Sequence, residues 1–388
     1  MKEGEKGIMV YRDFQDIKLS ALGFGAMRLP VIDGDDSRIN RECAFRMVDT
    51  AIRNGINYFD TAWGYHNGNS ELIIGEALSR YPRESFYLAD KFPGYDLSNM
   101  PKVKEIFEKQ LEKTGAGYFD FYLFHNVCEM NIEQYLDPKF GIYDYLMEQK
   151  KNGNIKHLGF SCHGEMDVLK RFLEAYGKDM EFCQLQLNYF DWKFQHGKEK
   201  VDLLKEWNIP VWVMEPLRGG RLAKLDEKSS AELKALRPEE DIPAWAFRFL
   251  QSIPEVTVVL SGMSNEEQLT ANLKTYADDK PLNDSEMAAV MGITDRMMAL
   301  KSVPCTACHY CVSHCPMGID IPRMIELYNE HLLTTAYGGM GFIAPMAMMA
   351  VPEDKKPSAC LHCQSCESVC PQQIKISDIM TDFVEKIG

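Results

Sequence analysis

The chain contains 388 residues, enough for two or three domains with large buried cores. Its 57 acidic and 43 basic side chains give a formal charge of −14 at pH 7, which works against binding nucleic acid or an anionic membrane surface. Apolar residues make up 45% and charged residues 26%, as in ordinary folded proteins. We therefore expect a globular protein with no main role on nucleic acid or membranes.

The amino-terminal and apolar segments decide the expected location. Residues 1–14 lack the apolar stretch of a secretory signal. The longest apolar-leaning run, residues 341–351, contains Pro345 and is shorter than the roughly 18 to 20 residues that span a bilayer. These features predict a cytoplasmic protein with no membrane helix.

Eight short apolar or β-branched runs alternate with helix-sized segments between about residues 20 and 272. The runs are Ala21–Met27, Asn57–Thr61, Phe86–Phe92, Phe119–His125, His157–Ser161, Phe182–Asn188, Val211–Glu215 and Val256–Leu260. Nearly continuous apolar runs are typical of parallel strands covered by helices. Eight strand–helix units predict a (β/α)8 barrel, and the Gly-x-Gly-x-x-Gly motif of a doubly wound dinucleotide-binding sheet is missing after the first run. A helix from about residue 283 to Met298 is expected to end this domain, residues 1–298.

Eight of the twelve cysteines form two runs of identical spacing near the end of the chain. The runs are Cys305-x2-Cys308-x2-Cys311-x3-Cys315-Pro316 and Cys360-x2-Cys363-x2-Cys366-x3-Cys370-Pro371. Two-residue spacers direct successive thiolates at one cubane iron–sulfur cluster, whereas zinc sites rarely place four thiols so close together. The spacing predicts that all eight cysteines bind iron–sulfur clusters in a second domain, residues 299–388.

This second domain resembles the two-cluster ferredoxins, in which the fourth cysteine of each run serves the other cluster. The resemblance implies two [4Fe-4S] clusters. One would be held by Cys305, Cys308, Cys311 and Cys370, and the other by Cys360, Cys363, Cys366 and Cys315. An amphipathic helix is predicted between the runs, from Ile321 to about Thr335, so the domain is expected to be small and mostly helical.

Four reactive side chains lie at or just after the ends of the second, third and fourth predicted strands: Asp60, Tyr65, Lys91 and His125. The carboxyl-terminal ends of barrel strands converge on one mouth, so these side chains are expected to meet there. The set resembles the catalytic tetrad of the aldo/keto reductase family, and the resemblance covers about residues 15–295. It implies an NAD(P)-dependent oxidoreductase in which Tyr65 donates the proton, Lys91 lowers the pKa of Tyr65, Asp60 holds Lys91 and His125 orients the carbonyl group.

The same resemblance implies a set of nicotinamide nucleotide contacts. They are Gly25 and Met27 after the first strand, Ser161 and Gln184 at the carboxamide, Met214 against the ring, Pro216, Leu217 and Gly219 along the pyrophosphate, and Gly262, Ser264, Gln268 and Asn272 after the last strand. The helix that follows residues 262–265 can present its amides to a phosphate. Gly262 and Gln268 stand where some relatives carry Lys and Arg for a 2′-phosphate. NADP is expected from the habit of the family, with NAD as the alternative.

The two predicted redox centres differ in how they transfer electrons, because nicotinamide moves a hydride and a cubane cluster moves one electron. No flavin site is marked in the sequence, so direct exchange between them is chemically awkward. The favoured hypothesis is a reductase of a small carbonyl compound, or an alcohol dehydrogenase in reverse, whose clusters exchange electrons with an external flavoprotein or ferredoxin. The alternatives are an electron-transfer module whose barrel senses nicotinamide or docks partners, and a reductase whose clusters are structural.

Overall fold

A computed structural model of the protein describes residues 9–129, 131–299, 303, 305, 311–336, 343–349, 351–370 and 373–387. The strands are β1 (Tyr11–Phe14), β2 (Ile17–Ser20), β3 (Leu22–Gly25), β4 (Val31–Ile32), β5 (Asp35–Ile39), β6 (Tyr58–Asp60), β7 (Tyr87–Phe92), β8 (Phe119–Val127), β9 (Ile155–Cys162), β10 (Cys183–Gln186), β11 (Val211–Met214) and β12 (Val256–Gly262). The α-helices are α1 (Arg41–Arg53), α2 (Ser70–Leu78), α3 (Val103–Thr114), α4 (Ile132–Leu136), α5 (Ile142–Lys151), α6 (Met166–Tyr176), α7 (Asp191–Phe194), α8 (Gly197–Glu206), α9 (Glu227–Leu236), α10 (Ile242–Gln251), α11 (Glu266–Thr275), α12 (Asp284–Ala299), α13 (Ile321–Ala336), α14 (Ile343–Met349) and α15 (Ile376–Ile387). Short 3-10 helices span Ala26–Arg28, Tyr65–Gly68, Arg83–Ser85, Leu97–Lys102, Pro138–Phe140, Gly177–Asp179, Arg221–Ala223, Val312–His314, Glu353–Lys355 and Pro357–Ala359.

Eight strands close into a parallel barrel in the order β3-β6-β7-β8-β9-β10-β11-β12. Most residues of these strands are buried, because side chains fill the barrel interior on one face and helices cover the other. Each of the eight predicted runs overlaps one barrel strand. The predicted (β/α)8 barrel is therefore confirmed.

The register of the barrel brings the ends of neighbouring strands together at one mouth. Asp60 on β6 pairs with Gly25 on β3 and with Ala89 on β7. On the other side of the barrel, Gln184 on β10 pairs with Ser161 on β9. Residues that are far apart in sequence therefore share one layer at the carboxyl-terminal end.

The hairpin of β1 and β2 packs into the opposite, amino-terminal end of the barrel. The ring of Phe14 lies 5.0 Å from that of Trp212 and 5.7 Å from that of Phe121, both inside the barrel. This hairpin has no clear signal in the sequence, since β1 is short and partly exposed. A second hairpin, β4 with β5, follows the first barrel strand.

The chain forms two compact units, one of Met1–Leu222 and Leu236–Ala288 and one of Ala223–Ala235 and Ala289–Gly388. The first unit contains the barrel. The second contains the cysteine runs and an apolar core to which α13 and α15 contribute, and α13 matches the predicted amphipathic helix. The predicted domain boundary at residues 298 and 299 stays a prediction. Within the described ranges, no helix has the length and apolarity needed to cross a bilayer.

Candidate active site and cysteine-rich site

A buried ion pair lies at the carboxyl-terminal mouth of the barrel. Lys91 Nζ donates hydrogen bonds to Asp60 Oδ1 at 2.6 Å and to the backbone oxygen of Thr61 at 2.7 Å. The side chain of Lys91 is wholly buried, and Asp60 is 3% exposed. Burial, the largest single influence, lowers the pKa of Lys91, but Asp60, Tyr65 and Asp90 together outweigh it and the pKa is raised. Lys91 is therefore a fixed positive charge at neutral pH.

Tyr65 lies directly above this charge, with Lys91 Nζ 5.0 Å from the centre of its ring. It occupies a tight turn in which His66 has a φ of 53°. His66 anchors the turn, because its Nε2 accepts from the backbone N of Leu29 at 3.0 Å and its Nδ1 lies 3.0 Å from the backbone oxygen of Asp36. Since Nε2 is an acceptor, the ring proton is on Nδ1, which donates to Asp36. His66 thus holds Tyr65 in place without facing the reacting groups.

Opposing influences act on the hydroxyl of Tyr65. Burial raises its pKa, Lys91 acts to lower it and Asp60 acts to raise it, with a raised pKa as the result. The resemblance to the aldo/keto reductases implies that Lys91 lowers this pKa. Lys91 does act in that direction, but burial outweighs its effect.

His125 completes the group of four residues. Its ring lies 6.2 Å from that of Tyr65, edge to face, and 5.2 Å from that of Tyr95. Burial, reinforced by Lys91, lowers the pKa of His125 well below its usual range, so the ring is neutral. A neutral imidazole offers one N–H donor and one acceptor, and Nδ1 has no hydrogen-bond partner among the described residues. All four predicted catalytic residues therefore lie at one mouth.

Gln184 presents an unpaired oxygen at the place predicted for the nicotinamide carboxamide. It is 2% exposed, and its Oε1 has no hydrogen-bond partner among the described residues. Its Nε2 lies 3.7 Å from Met214 Sδ, while the neighbouring Ser161 Oγ already accepts from the backbone N of Asn126 at 2.7 Å. A buried carbonyl oxygen without a donor is costly unless a ligand supplies one. An amide NH2 group such as that of nicotinamide fits this position.

In the segment after β11, the carboxylate of Glu215 lies against the predicted pyrophosphate contacts. The Glu215 carboxylate accepts from the backbone N of Gly219 and pairs with Arg28 at 3.3 Å. Glu215 and Gly219 both have left-handed backbones, with φ of 55° and 66°. The predicted contacts Pro216 and Leu217 lie in the same turn. The turn thus directs a backbone N–H toward a negatively charged group.

Arg28 is a cation that the sequence analysis missed. A side chain at Gly262 would meet Arg28 Cβ at 3.1 Å, so Arg28 lies across the position where some relatives carry lysine. Arg28 also lines a cavity of about 350 Å³ with Met27, Tyr65 and Ser264. The only signal in the sequence is that Arg28 directly follows the predicted contact Met27.

The remaining predicted nucleotide contacts have partners within the barrel unit. Ser264 N donates to Gln268 Oε1 at 2.8 Å at the start of α11. Asn272 Nδ2 donates to Ser261 Oγ at 3.0 Å in a buried position. Gly25 is buried, and a side chain there would lie 3.3 Å from the backbone oxygen of Ser261. Ser264, Gln268 and Asn272 would therefore have to share or exchange these bonds to contact a nucleotide.

Four of the predicted cluster ligands line one apolar cavity in the second unit. They are Cys315, Cys360, Cys363 and Cys366, and Ile319, Ile376 and Met380 complete its wall. This is the set that the ferredoxin resemblance assigns to a single cluster. Among the described residues, no three Cys, His, Asp or Glu side chains are close enough to hold one metal ion, whereas four thiols around a cavity suit a larger cubane group.

Three of the four ligands predicted for the other cluster lie around the same apolar core. Cys311 is buried in it, and Cys305 and Cys370 pack against it. Cys308 lies outside the described residues. The ligand sets of both clusters stay predictions.

Comparison with known proteins identifies the family of this barrel, with its buried lysine–carboxylate pair beneath a tyrosine. The chain belongs to the aldo/keto reductase family, whose model matches residues 21–295, and a 4Fe-4S dicluster domain matches residues 304–374. The predicted family and the iron–sulfur domain are thereby confirmed.

The individual relatives align with about half to three quarters of this chain. An uncharacterized oxidoreductase of Bacillus subtilis, YqkF, is 25% identical over 72% of this chain and 94% of its own length. The NADH-specific methylglyoxal reductase of Escherichia coli is 27% identical over 53% of this chain and 66% of its own. Among solved structures, aldo-keto reductase AKR11C1 from Bacillus halodurans aligns with a TM-score of 0.60 and 25% identity over 74% of this chain and 96% of that one.

Proposed function

We propose that the protein reduces a small carbonyl compound with NAD(P)H, or oxidises the alcohol in reverse, at the site formed by Asp60, Tyr65, Lys91 and His125. The observation that carries this proposal is the buried Lys91, bonded to Asp60 at 2.6 Å and lying 5.0 Å from the ring centre of Tyr65. A buried charge is costly unless it is paired and hydrogen-bonded, as Lys91 is, and perturbed ionisable groups cluster at catalytic sites. Lys91 lies beside a phenol, whose pKa a nearby positive charge lowers.

Each residue has a distinct task. Bound nicotinamide supplies or accepts the hydride. Tyr65 donates a proton to the carbonyl oxygen, and Lys91 stabilises the phenolate that remains. The neutral ring of His125 offers an N–H to the same oxygen and thereby orients it. Asp60 holds Lys91 in position and balances its charge.

We propose that Gln184 binds the carboxamide and that Arg28 contacts a phosphate of the nucleotide. Arg28 lies across Gly262 and supplies the positive charge that positions 262 and 268 lack. A bound phosphate would displace the Glu215 carboxylate from Arg28. NADP is the proposed nucleotide, while the NADH specificity in the name of the Escherichia coli relative keeps NAD as the alternative.

We propose that the eight cysteines hold two [4Fe-4S] clusters that exchange electrons with an external flavoprotein or ferredoxin. Exposure of the cysteine loop supports exchange over a purely structural role. Leu361 is 62% exposed and Cys363 is also exposed, so one predicted ligand segment faces solvent. An exposed ligand segment would place a cluster near the surface, where the redox centre of a partner can approach it.

The test is an anaerobic titration of the cluster-containing protein with NADPH and, separately, NADH. Nucleotide fluorescence reports binding, electron paramagnetic resonance reports cluster reduction, and carbonyl compounds, beginning with methylglyoxal, are then added. We expect binding without cluster reduction, followed by nucleotide oxidation in the wild type and in Tyr143→Phe but not in Tyr65→Phe. Tyr143, on α5, is a matched control because it is also a tyrosine of the barrel unit whose hydroxyl donates a hydrogen bond, in this case to Asp179.

Other outcomes would support another function. If neither nucleotide binds, the reductase proposal fails and the electron-transfer module takes its place. Rapid cluster reduction by nucleotide alone would overturn the separation of the two centres and direct the search to a bound flavin.

A further inference from the structure

A second buried acidic group lies directly behind the catalytic lysine. Asp90, Glu71 and Gln110 have no exposed area. They come from β7, α2 and α3, and their side chains meet between these elements. None of them belongs to the tetrad, and the sequence alone marks none of them as unusual.

One amide nitrogen connects these groups. Gln110 Nε2 lies 2.8 Å from Asp90 Oδ1, 3.0 Å from Glu71 Oε1 and 3.0 Å from the backbone oxygen of Lys91. The three oxygens around Nε2 fix the orientation of the Gln110 amide, and its Oε1 then accepts from the hydroxyl of Tyr122 at 2.5 Å. An amide nitrogen has two hydrogens, so three acceptors compete for two donors. Asp90 Oδ1 also accepts from the backbone N of Lys91 at 2.8 Å, and Glu71 Oε2 accepts from Lys113, so among the described residues the oxygen of this cluster left without a partner is Asp90 Oδ2.

The charges also fail to balance unless a proton is present. The cluster and the adjoining pair contain three carboxyl groups, Asp60, Glu71 and Asp90. They contain two cations, Lys91, which bonds to Asp60, and Lys113, which forms an ion pair with Glu71. Among the described residues Asp90 has no cation of its own, and its Oδ2 has no hydrogen-bond partner. An isolated buried carboxylate is so unfavourable that such a group takes up a proton instead.

Burial and Glu71 outweigh Lys91 in setting the pKa of Asp90. Burial first, and then the negative charge of Glu71, raise the pKa of Asp90 well above its usual range, whereas Lys91 acts in the opposite sense. Tyr122 on β8 is buried and neutral. Lys113 on α3 is already paired with Glu71.

We propose that Asp90 is protonated at neutral pH, donates a hydrogen bond from its carboxyl group to Glu71, and serves as a positioning residue for Lys91 and Tyr65. The role rests on the proposed function of the tetrad. A proton on Asp90 leaves Asp60 as the single negative charge opposite Lys91. An ionised Asp90 would also raise the pKa of Tyr65, so its neutral form keeps the positive charge of Lys91 available to the phenol.

The proton itself is tested by infrared spectroscopy of the full-length, cluster-containing protein at neutral pH. A protonated carboxylic acid has a carbonyl stretch that is distinct from carboxylate bands and shifts in D2O. We expect this band in the wild type and in Asp202→Asn, an exposed control, and its loss in Asp90→Asn. Asn reproduces the donor and acceptor pattern of a protonated Asp, which favours folding of the variant. Identical spectra for the wild type and Asp90→Asn would overturn the proposal.

The positioning role is tested by the pH dependence of carbonyl reduction. In Glu71→Gln the negative charge beside Asp90 is removed, so Asp90 should ionise at lower pH and its infrared band should disappear there. The new charge should move the alkaline limb of the rate profile upward by on the order of one pH unit. The double variant Asp90→Asn/Glu71→Gln should remove that shift. If the infrared band of Asp90 disappears at lower pH while the alkaline limb of the rate profile stays in place, the positioning role is overturned.

The experiments distinguish failure of the protonated Asp90 from failure of the proposed reductase function. The infrared band requires neither nucleotide nor turnover. An active enzyme without the band contradicts the protonated Asp90, whereas a band in an enzyme that reduces no carbonyl compound contradicts the proposed function.

Discussion

Replacing Lys91 by Met isolates the energetic role of the buried charge, because Met keeps most of the side-chain volume and removes the ammonium group. In the variant, Asp60 loses its 2.6 Å partner. Its other oxygen, Oδ2, already has no hydrogen-bond partner among the described residues. The carboxylate would then be buried without a neutralising group.

The expected cost follows from this burial. Removing one partner of a buried ion pair typically destabilises a protein by about 3–5 kcal/mol. Both partners are almost fully buried, so little solvent screening reduces the effect. Replacing both charges in Asp60→Asn/Lys91→Met leaves no unpaired charge, and we expect this double variant to recover all but about 1–2 kcal/mol.

The loss in the free energy of unfolding caused by Lys91→Met should also depend on pH. Burial already raises the pKa of Asp60, with Lys91 acting against it, so loss of Lys91 raises the folded-state value further. A carboxyl group whose folded pKa lies above its unfolded value destabilises the fold at high pH, and the penalty is relieved as pH falls and the group is protonated. The difference between variant and wild type should therefore be largest above neutral pH and shrink toward pH 5.

Tryptophan fluorescence measures this effect in the full chain. All five tryptophans lie in the barrel unit: Trp63, Trp192, Trp207, Trp212 and Trp245. Anaerobic urea titration followed by this signal reports unfolding of the barrel, and an exposed Lys104→Met variant serves as control. A Lys91→Met deficit below about 1 kcal/mol at pH 8, or one that grows as pH falls, would refute the reasoning.

Three further changes test separate parts of the molecule. Tyr65→Phe should lower kcat for carbonyl reduction by about 10²–10⁴-fold while the Kd for nucleotide changes little, and parallel losses in both would argue against a proton-donor role. Arg28→Met should raise the Kd for NADPH by about tenfold without a similar loss in kcat, compared with Arg171→Met on α6, and an unchanged Kd would remove Arg28 from the nucleotide site. Cys363→Ser should lower iron from about eight to about four atoms per chain, whereas Cys43→Ser should retain the full content; equal iron in both would contradict the ligand assignment.

The barrel could be predicted because its signal is local. Each strand is a short apolar run, and the spacing of eight such runs indicates closure. The hairpin of β1 and β2 could not be predicted in this way. Its pattern is half polar, and what stabilises it is the contact of Phe14 with rings of β8 and β11, which are distant in sequence.

The same distinction applies to the site. Strand ends place Asp60, Lys91 and His125 at one mouth, so their meeting follows from topology. The partnership of Glu71 with Asp90 depends on how α2 and α3 approach the barrel. Gly75 permits this approach, since a side chain there would lie 2.3 Å from the backbone oxygen of Thr114. Such helix placement is set by packing and has no periodic signal in the chain.

The hairpin that closes the amino-terminal end of the barrel also constrains the kinetics. Phe14 and Trp212 fill that end with rings 5.0 Å apart, so no molecule passes through the barrel axis. Under the proposed function, nucleotide and carbonyl compound would therefore both reach Lys91 and Tyr65 from the carboxyl-terminal mouth. Under the proposed function, the molecule that binds deeper would enter first and leave last, giving a compulsory order. The product released last would then compete only with the reactant that binds first.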